Sequence, residues 1–425
     1  MAEGWSNLGR ALRHKHYRLY QGGRIFSHTT SWMYKLAVGW IVWKLTYSTT
    51  WLGVFGMLDQ VPALLVMPLA GALTDRLDSL KMLRVTQLLL LVQGVLLAAF
   101  DYFDVINIPV LVVFALAYGI LNAFQSPANQ AILPNLMPRE DLTVAYGLNS
   151  VAYNIARLVG PMLAGLTINA WGTAPSICCN AIGAIIFSIC LFRLQSDFKI
   201  KSQTRRRSVN MMGDIRDGVA YAFAHPGIKS MIVTVGCLSV LPYSIDLILP
   251  SLADGVYQMG SDGLAWMTAI LGIGAMAQAS LIARRDGVGG LSAYAIVAVL
   301  WMAGAFCALA FTTNFWVALV FVFVIGFCAS ATRVSSMTLL QYSVEPNMRG
   351  RVASIYGMIT HFGPALGAVM VGFLGDRLGL PLVLGCLGLF SLGVWIWAFR
   401  RRDDMAQTLE IEAHGSGAAF GERRP

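Results

Sequence analysis

Polar and charged side chains recur at helical spacing inside four otherwise apolar stretches of the chain. In the first stretch they are spaced three or four residues apart, which puts them on one face of a helix. The four sets are Arg24, His28, Ser31 and Lys35; Tyr118, Asn122, Gln125 and Asn129; Ser239, Tyr243 and Asp246; and Ser330, Arg333 and Ser336. Such groups could bind a polar solute or an ion in a water-filled cavity, or they could only hydrogen-bond one helix to another. Their recurrence in four stretches favours the cavity.

Two further charged residues, Asp59 and Arg157, also lie within apolar stretches. They could form a structural ion pair. Alternatively, Asp59 or Asp246 binds and releases protons, because a low dielectric raises the pKa of a carboxyl group. Asp59, Asp246 and Arg157 are therefore the candidates for proton coupling, and His361 is a weaker one. The central cations outnumber the central carboxylates, which favours an anionic or zwitterionic solute.

The composition indicates the surroundings in which these groups act. Of the 425 residues, 56% are hydrophobic and only 12% are charged, whereas an ordinary soluble domain has about 25% charged residues. So little charge cannot cover a soluble protein of this size, which excludes a soluble enzyme, a disordered chain and a nucleic-acid-binding module. The seven cysteines lie within apolar runs and lack metal-ligand spacing with His, so neither disulfides nor a metal site is expected. The pattern is typical of an integral membrane protein.

Apolar runs of about 20 residues, long enough to cross a membrane as helices, recur along the whole chain. They lie at residues 22–45, 51–74, 82–101, 106–130, 143–169 and 173–194 and, after a basic stretch, at 228–252, 263–284, 291–311, 315–341, 351–374 and 380–399. The sequence predicts an all-α, polytopic membrane protein with twelve transmembrane helices. Its parts are an amphipathic N-terminal segment, a six-helix half, a basic linker, a second six-helix half and a disordered tail, at residues 1–21, 22–194, 195–227, 228–402 and 403–425.

The positions of the basic residues predict the orientation. Most of the 31 Lys and Arg residues fall on one side of the membrane if both termini are cytoplasmic, as the positive-inside rule requires. The net charge of +9 therefore reflects topology and not a nucleic-acid-binding patch. We expect a multi-pass protein of the plasma membrane, most naturally a bacterial inner membrane.

The two halves of the chain resemble each other weakly. Residues 119–138 align with residues 326–346, and the Gly-Pro pair at Gly160 matches the one at Gly363. Duplicated six-helix halves are pseudo-symmetric and place a binding site between them, near the membrane midplane. The four polar stripes fall on the first and fourth span of each half, as such a site requires.

The stretch GALTDRLDSLK, from Gly71 to Lys81, resembles the signature loop G-x-L-A-D-R-x-G-R-R-x of the major facilitator superfamily. It differs at Asp78 and Ser79, where the general motif has Gly and Arg. The stretches SPANQA, PREDL and LNS, at residues 126–131, 138–142 and 148–150, are similar to the branch of enterobactin exporters and related drug-efflux permeases. The resemblance covers about residues 10–400 and implies the major facilitator fold.

The resemblance also implies roles for the loop residues. Gly71, Asp75, Arg76 and Lys81 would be gating residues, with the carboxylate of Asp75 latching the two halves near the start of span 11. A carboxylate is favourable at a helix N-terminus and could also meet Arg349 or Arg351. The alternative is that these charges only set the topology.

A second motif lies in span 5. Gly147, Gly160, Pro161 and Gly165 are similar to the span-5 motif of superfamily antiporters, with Ala in place of two of its Gly residues. Small residues allow helices to approach closely and Pro bends a span. The match favours export, and plain helix packing is the alternative.

These observations predict a secondary transporter that works by alternating access. We expect it to export a small organic solute in exchange for protons, and the solute could be anionic, siderophore-like or drug-like. The chain has no G-x4-G-K-[ST] phosphate loop, so we expect no ATP hydrolysis, no enzyme activity and no cofactor. The expected partners are the solute, protons and membrane lipids, with no nucleic acid, and the protein is expected to be a monomer. A lipid or lysolipid flippase and a non-transporting scaffold or sensor are the alternatives. The predicted cavity residues are Arg24, His28, Lys35, Asn122, Gln125, Tyr243, Asp246 and Arg333.

Overall fold

The computed structural model describes residues 13–76, 78–138, 141–194, 211–282, 284–285, 287–345 and 347–411. These described residues are 91% helical, and no strand occurs among them. The prediction of an all-α protein is confirmed.

The α-helices follow one another with short connections. They are α1 (Lys15–Thr46), α2 (Thr49–Arg76), α3 (Ser79–Tyr102), α4 (Ile108–Ile132), α5 (Leu142–Trp171), α6 (Thr173–Arg193), α7 (Met211–Ala224), α8 (Pro226–Val240), α9 (Ile245–Pro250), α10 (Gly260–Ile282), α11 (Leu291–Phe311), α12 (Phe315–Ser343), α13 (Arg349–Leu378), α14 (Leu380–Arg400) and α15 (Arg402–Ala406). Short 3-10 turns at Leu133–Asn135 and Pro242–Ser244 and π-turns at Ser251–Val256 and Gln407–Ile411 complete the described structure.

Ten helical stretches in the described ranges are long and apolar enough to cross a membrane, and one of them runs from Pro226 through α9 to Val256. The helices α1 and α2 are not among the ten, so the count of twelve spans holds approximately. Helix α1 begins at Lys15, seven residues before the predicted edge of the first span, because its amphipathic start continues the same helix.

Local sequence explains several helix ends. Asp78 caps α3, since its Oδ1 accepts from the backbone N–H of Leu80 at 2.8 Å, and Asn107 caps α4 in the same way. Between α5 and α6, and between α13 and α14, the chain turns at Gly172 and Gly379, whose φ angles are 87° and 85°. Only glycine adopts these angles without strain, so equivalent breaks occur in both parts of the chain.

The chain forms two compact units. The first contains residues 1–47, 55–206 and 259–269, and the second contains residues 48–54, 207–258 and 270–425. The first unit has a fully buried aromatic and aliphatic core that includes Tyr17, Tyr20, Leu83, Phe187 and Leu191. The core of the second unit includes Met231, Val235, Leu339, Val352 and Leu409.

The second unit includes the start of α2, which is capped by a residue of α13. The carboxylate of Asp376 accepts from the hydroxyls of Ser48 and Thr50 at 2.5 and 2.6 Å and from the backbone N–H groups of Thr49 and Thr50 at 2.7 and 3.0 Å. A carboxylate is favourable here, because the first turn of a helix presents unpaired N–H groups. The contact therefore fixes the first turn of α2 to the end of α13.

The tail predicted to be disordered from Asp403 begins instead with ordered structure. Helix α15 and the following π-turn bury Met405 and Leu409 in the core of the second unit, which explains the order. Residues 412–425 lie outside the described residues, as do residues 1–12 and the linker residues 195–210. The remainder of the predicted linker contains α7, where Asp217 contacts Arg351 at 3.3 Å.

Glu410 bonds the C-terminal segment after α15 to the start of α11. Its carboxylate accepts from the backbone N–H groups of Gly290 and Ser292 at 2.7 and 2.9 Å and from the Ser292 hydroxyl at 2.6 Å. Partial burial raises the pKa of Glu410, but these hydrogen bonds and the charge of Arg285 outweigh it and hold the pKa below the usual 4.5. The ionised form is thus the one that the fold stabilises.

We expect Glu410→Gln to lower the thermal unfolding midpoint of the detergent-purified protein at pH 7, by an amount equivalent to about 0.5–1 kcal/mol for a partly exposed cap. Because the pKa is lower in the folded state, this stabilisation is complete above about pH 4.5 and is lost as the pH falls through the folded value. The wild type should therefore lose more stability than Glu410→Gln between pH 6 and pH 3.5. Glu345→Gln, at an exposed position, is the control, and equal pH profiles for Glu410→Gln and the wild type would contradict this role.

Candidate functional site

Arg24 and His28, the first two residues of the predicted polar stripe on α1, belong to a chain of hydrogen bonds in the first unit. The guanidinium of Arg24 donates from Nε to His28 Nε2 at 3.1 Å and from Nη1 to Tyr20 Oη at 2.7 Å. Tyr20 is fully buried and donates to Asn129 Oδ1 of α4 at 2.8 Å. The structure thus joins three predicted stripe residues through a tyrosine that lies before the predicted first span.

An ion pair forms further along α1. Lys35 Nζ lies 3.4 Å from Asp59 Oδ2 of α2, and the two side chains are 42% and 25% exposed. Arg157 is a possible partner of Asp59 by sequence, but in the structure Asp59 pairs with Lys35. Two cations lie near the ring of Trp32, with Lys35 Nζ at 5.6 Å and Arg157 Cζ at 5.5 Å from its centroid. Cation–π attraction stabilises both positive charges against this ring.

The predicted amides of α4 contact their own surroundings. Asn122 donates to the backbone carbonyl of Tyr118 at 2.9 Å, and Gln125 donates to Gln87 Oε1 of α3 at 2.6 Å. The ring of Tyr118 stacks on Tyr34 with the centroids 4.7 Å apart. Gln125 therefore bonds α4 to α3, whereas Asn122 bonds back to its own helix, and both side chains stay partly exposed.

The second unit brings Arg333 and Tyr243 together. The guanidinium carbon of Arg333 lies 4.2 Å from the centroid of the Tyr243 ring. Tyr243 belongs to the 3-10 turn Pro242–Ser244, which interrupts the predicted seventh span and places this ring against α12. Asp246 follows in the first turn of α9. The backbone carbonyl of Arg333 accepts from Tyr356 Oη of α13 at 2.7 Å, which fixes this part of α12.

An apolar groove of about 350 Å³ lies between α11 and α12 of the same unit. Its lining includes Tyr294, Trp301, Phe323 and Phe327, and the Trp301 side chain is 65% exposed. Aromatic and aliphatic walls of this kind suit a hydrocarbon chain and not a charged solute.

Comparison with protein families decides the identity. Residues 7–415 match the major facilitator family described as transmembrane secretion effectors. The chain belongs to the major facilitator superfamily. It is a multi-pass membrane transporter of the exporter branch and not an enzyme, so the predicted resemblance is confirmed.

Individual relatives match most of the length of this transporter. The staphyloferrin A transporter of Staphylococcus aureus (strain NCTC 8325 / PS 47) is 25% identical, over 91% of this chain and 96% of the relative. Macrolide efflux protein A of Streptococcus pyogenes is 23% identical, over 86% and 90%. The fold is similar to that of a bacterial homolog of the human lysosomal transporter Spinster, with a TM-score of 0.73, 12% identity and coverage of 93% and 98%.

The loop predicted to gate this transporter lies at the end of α2 and the start of α3. Gly71, Asp75 and Arg76 are helical, and their side chains lie outside the described residues. Lys81 lies exposed in the first turn of α3, whose N-cap is Asp78. Capping explains why Asp replaces the Gly of the general motif at this position. The latch between Asp75 and span 11 stays a prediction.

Two glycines of the span-5 motif pack against another helix of the described structure, and one does not. A Cβ at Gly160 would lie 2.6 Å from Trp32 Cβ and 2.7 Å from the carbonyl oxygen of Thr29, so α1 and α5 touch there. Gly165 packs against Ala265, in the part of α10 that belongs to the first unit. Among the residues that the structure describes, none lies within 4 Å of a Cβ added at Gly147. Pro161 lies inside α5, so the tight contact is made at Gly160 and Gly165.

Sequence reasoning predicted Tyr118 and Tyr243 but missed Trp32 and Tyr34. Trp32 and Tyr34 lie in the predicted first span, but apolar helices contain many aromatic residues and nothing in their spacing marks these two. Gln87 and Gln93 of α3 carried a signal, because amides are rare in membrane-spanning helices. Gln93 donates to Tyr34 Oη at 2.7 Å, which connects α3 to the Lys35 region of α1.

Proposed function

We propose that this transporter is a proton-coupled exporter of small organic solutes in a bacterial inner membrane, with both termini in the cytoplasm. The relatives named for efflux and siderophore transport support export. The residues 22–194 and 228–402 would form two six-helix halves that alternate access to the solute. The protein would act as a monomer among membrane lipids.

The Lys35–Asp59 ion pair carries the proposal. A lysine and an aspartate within membrane-spanning helices are costly, and their pairing at 3.4 Å offsets part of that cost. Both side chains also keep exposed surface, through which water would bring a proton to the carboxylate. Protonation of Asp59 removes its charge and leaves Lys35 as an unpaired cation, which changes the stability of any state that buries the pair.

This step supplies the coupling. A proton that binds Asp59 from the outside breaks the ion pair, and its release to the cytoplasm restores it. If solute release on the outside accompanies protonation, then one cycle moves a proton inward and a solute outward. Asp246 and Arg157 are the further coupling candidates, and Arg24, His28 and Arg333 the groups proposed to contact the solute.

The test uses inverted membrane vesicles that contain the transporter and have an acidic interior. We expect ATP-independent accumulation of at least one of ethidium, erythromycin and 1-naphthoate, at several times the level in vesicles without the protein. The ionophore nigericin, which dissipates the pH gradient, should abolish it. Equal accumulation in both kinds of vesicle for all three solutes would contradict the proposal.

The apolar groove between α11 and α12 favours one alternative, a lipid or lysolipid flippase. That activity predicts faster translocation of a fluorescent lysophospholipid in proteoliposomes than in protein-free liposomes, with no dependence on Asp59. If Asp59→Asn abolished both this lipid translocation and solute export, the exporter would be the better explanation.

A further inference from the structure

Arg333 is a positive charge within the membrane-spanning part of the second unit, and it has no carboxylate partner there among the described residues. Its guanidinium instead faces the ring of Tyr243, with Arg333 Cζ 4.2 Å from the ring centroid. The Nε atom of Arg333 is buried and makes no hydrogen bond in the described structure. By contrast, Lys35 has Asp59 and Arg351 has Asp217.

A desolvated guanidinium needs an acceptor. Buried charges are paired in folded proteins because an unpaired one forfeits its hydration, and this holds more strongly in a membrane. A ring face stabilises the charge from one side but accepts none of the N–H groups along the edge. The planar donors of Arg333 therefore remain available to an anion that is not part of the described chain.

Tyr243 supplies a second donor at the same place. The residue is 3% exposed. Its buried Oη lies near the hydroxyl of Thr332 but forms no hydrogen bond of good geometry with the described residues. The Thr332 hydroxyl donates its own proton to the carbonyl of Cys328, so the phenol proton is available to a further acceptor. A guanidinium fork and a phenol hydroxyl are both donors, and a carboxylate accepts from both.

We propose that Arg333 and Tyr243 form a carboxylate-binding subsite and that the exported solutes of this transporter are organic acids. This inference rests on the proposed function, since the subsite holds the cargo. The guanidinium binds the two carboxylate oxygens side by side, which lysine cannot do. The Tyr243 ring packs against the face of the guanidinium and keeps it in position, and the Tyr243 hydroxyl is a further donor to the anion.

The probe pair is 1-naphthoate and 1-naphthamide, which share a ring system and differ in charge. Binding to the detergent-purified, full-length protein is measured by calorimetry. We expect the naphthoate to bind at least about tenfold more tightly, as charge-assisted hydrogen bonds allow. Arg333→Met should bring the ratio close to one, Arg333→Lys should retain part of it, and Tyr243→Phe should reduce it severalfold while the stacking surface stays.

Two controls separate binding from folding. Arg284→Met removes an exposed arginine outside the spans and should leave the ratio unchanged. Arg333→Met should unfold at the same temperature as the wild type or higher, because it removes an unpaired charge. A purely structural role for Arg333 predicts the reverse, a lower unfolding temperature with an unchanged ratio, and would overturn the proposal.

The two proposals fail in different ways. Equal or undetectable binding of both probes to the wild type overturns the carboxylate subsite, even if ethidium or erythromycin is exported. Failure of export with all solutes overturns the proposed function, while an Arg333-dependent preference for naphthoate in detergent would still establish the subsite.

Discussion

Asp59→Asn is expected to reduce pH-gradient-driven transport by at least tenfold in proteoliposomes. Asparagine has nearly the same shape as aspartate but cannot take up a proton at neutral pH, so the step that opens and closes the Lys35 pair is lost. Solute exchange at equal pH on both sides should persist, because it needs no net proton movement. The measurement is the initial rate of uptake of a solute that the wild type transports.

The control for this change is Asp104→Asn. Asp104 lies exposed in the turn after α3 with a φ of 54°, an angle that asparagine tolerates well. The double variant Lys35→Met with Asp59→Asn removes both charges, so it should recover any stability that Asp59→Asn loses but not the coupled transport. Recovery of coupled transport in the double variant would mean that the pair only holds α1 to α2.

Gly160→Ala is expected to have the largest structural effect. The added methyl would lie 2.6 Å from Trp32 Cβ and 2.7 Å from the Thr29 carbonyl oxygen. Neither group is the end of a flexible side chain, so α1 and α5 must separate. Overpacking of this kind typically costs about 1–3 kcal/mol, and here it would also displace the Trp32 ring, which lies near Lys35 and Arg157. We therefore expect a lower unfolding temperature in detergent and transport reduced severalfold or more.

Gly147→Ala is the matched control, because it makes the same change in the same helix and motif. The site is exposed, with no described atom within 4 Å of the new methyl, and alanine favours a helix by about 1 kcal/mol over glycine. We expect unchanged or slightly higher stability and normal transport. If Gly147→Ala and Gly160→Ala had equal effects, the close approach of α1 and α5 would not explain the motif.

The periodicity of the sequence predicted faces of helices better than contacts between them. Arg24 and His28 are one turn apart and do contact each other, because spacing along one helix fixes that geometry. The partner of Asp59 depends on how α1 and α2 rotate against each other, which no single stretch encodes. Sequence reasoning thus weighed Arg157 where the structure has Lys35.

The prediction for Tyr243 and Arg333 shows the same limit. Both were expected in a cavity, from separate stripes, and the structure stacks one on the other. The break of the seventh span at Pro242 produces that contact, and Pro242 was visible in the sequence as a residue that interrupts a helix. Asp376 gave no such signal, because a carboxylate at the end of an apolar run is also what a solvent-exposed loop would have.

The most direct test of the account is proton movement coupled to solute movement. Proteoliposomes that contain the wild type and an internal pH dye, with no initial pH gradient, receive a transported solute on one side. The account predicts a proton flux in the opposite direction that is absent in Asp59→Asn. Solute movement by the wild type with no accompanying proton flux would contradict it.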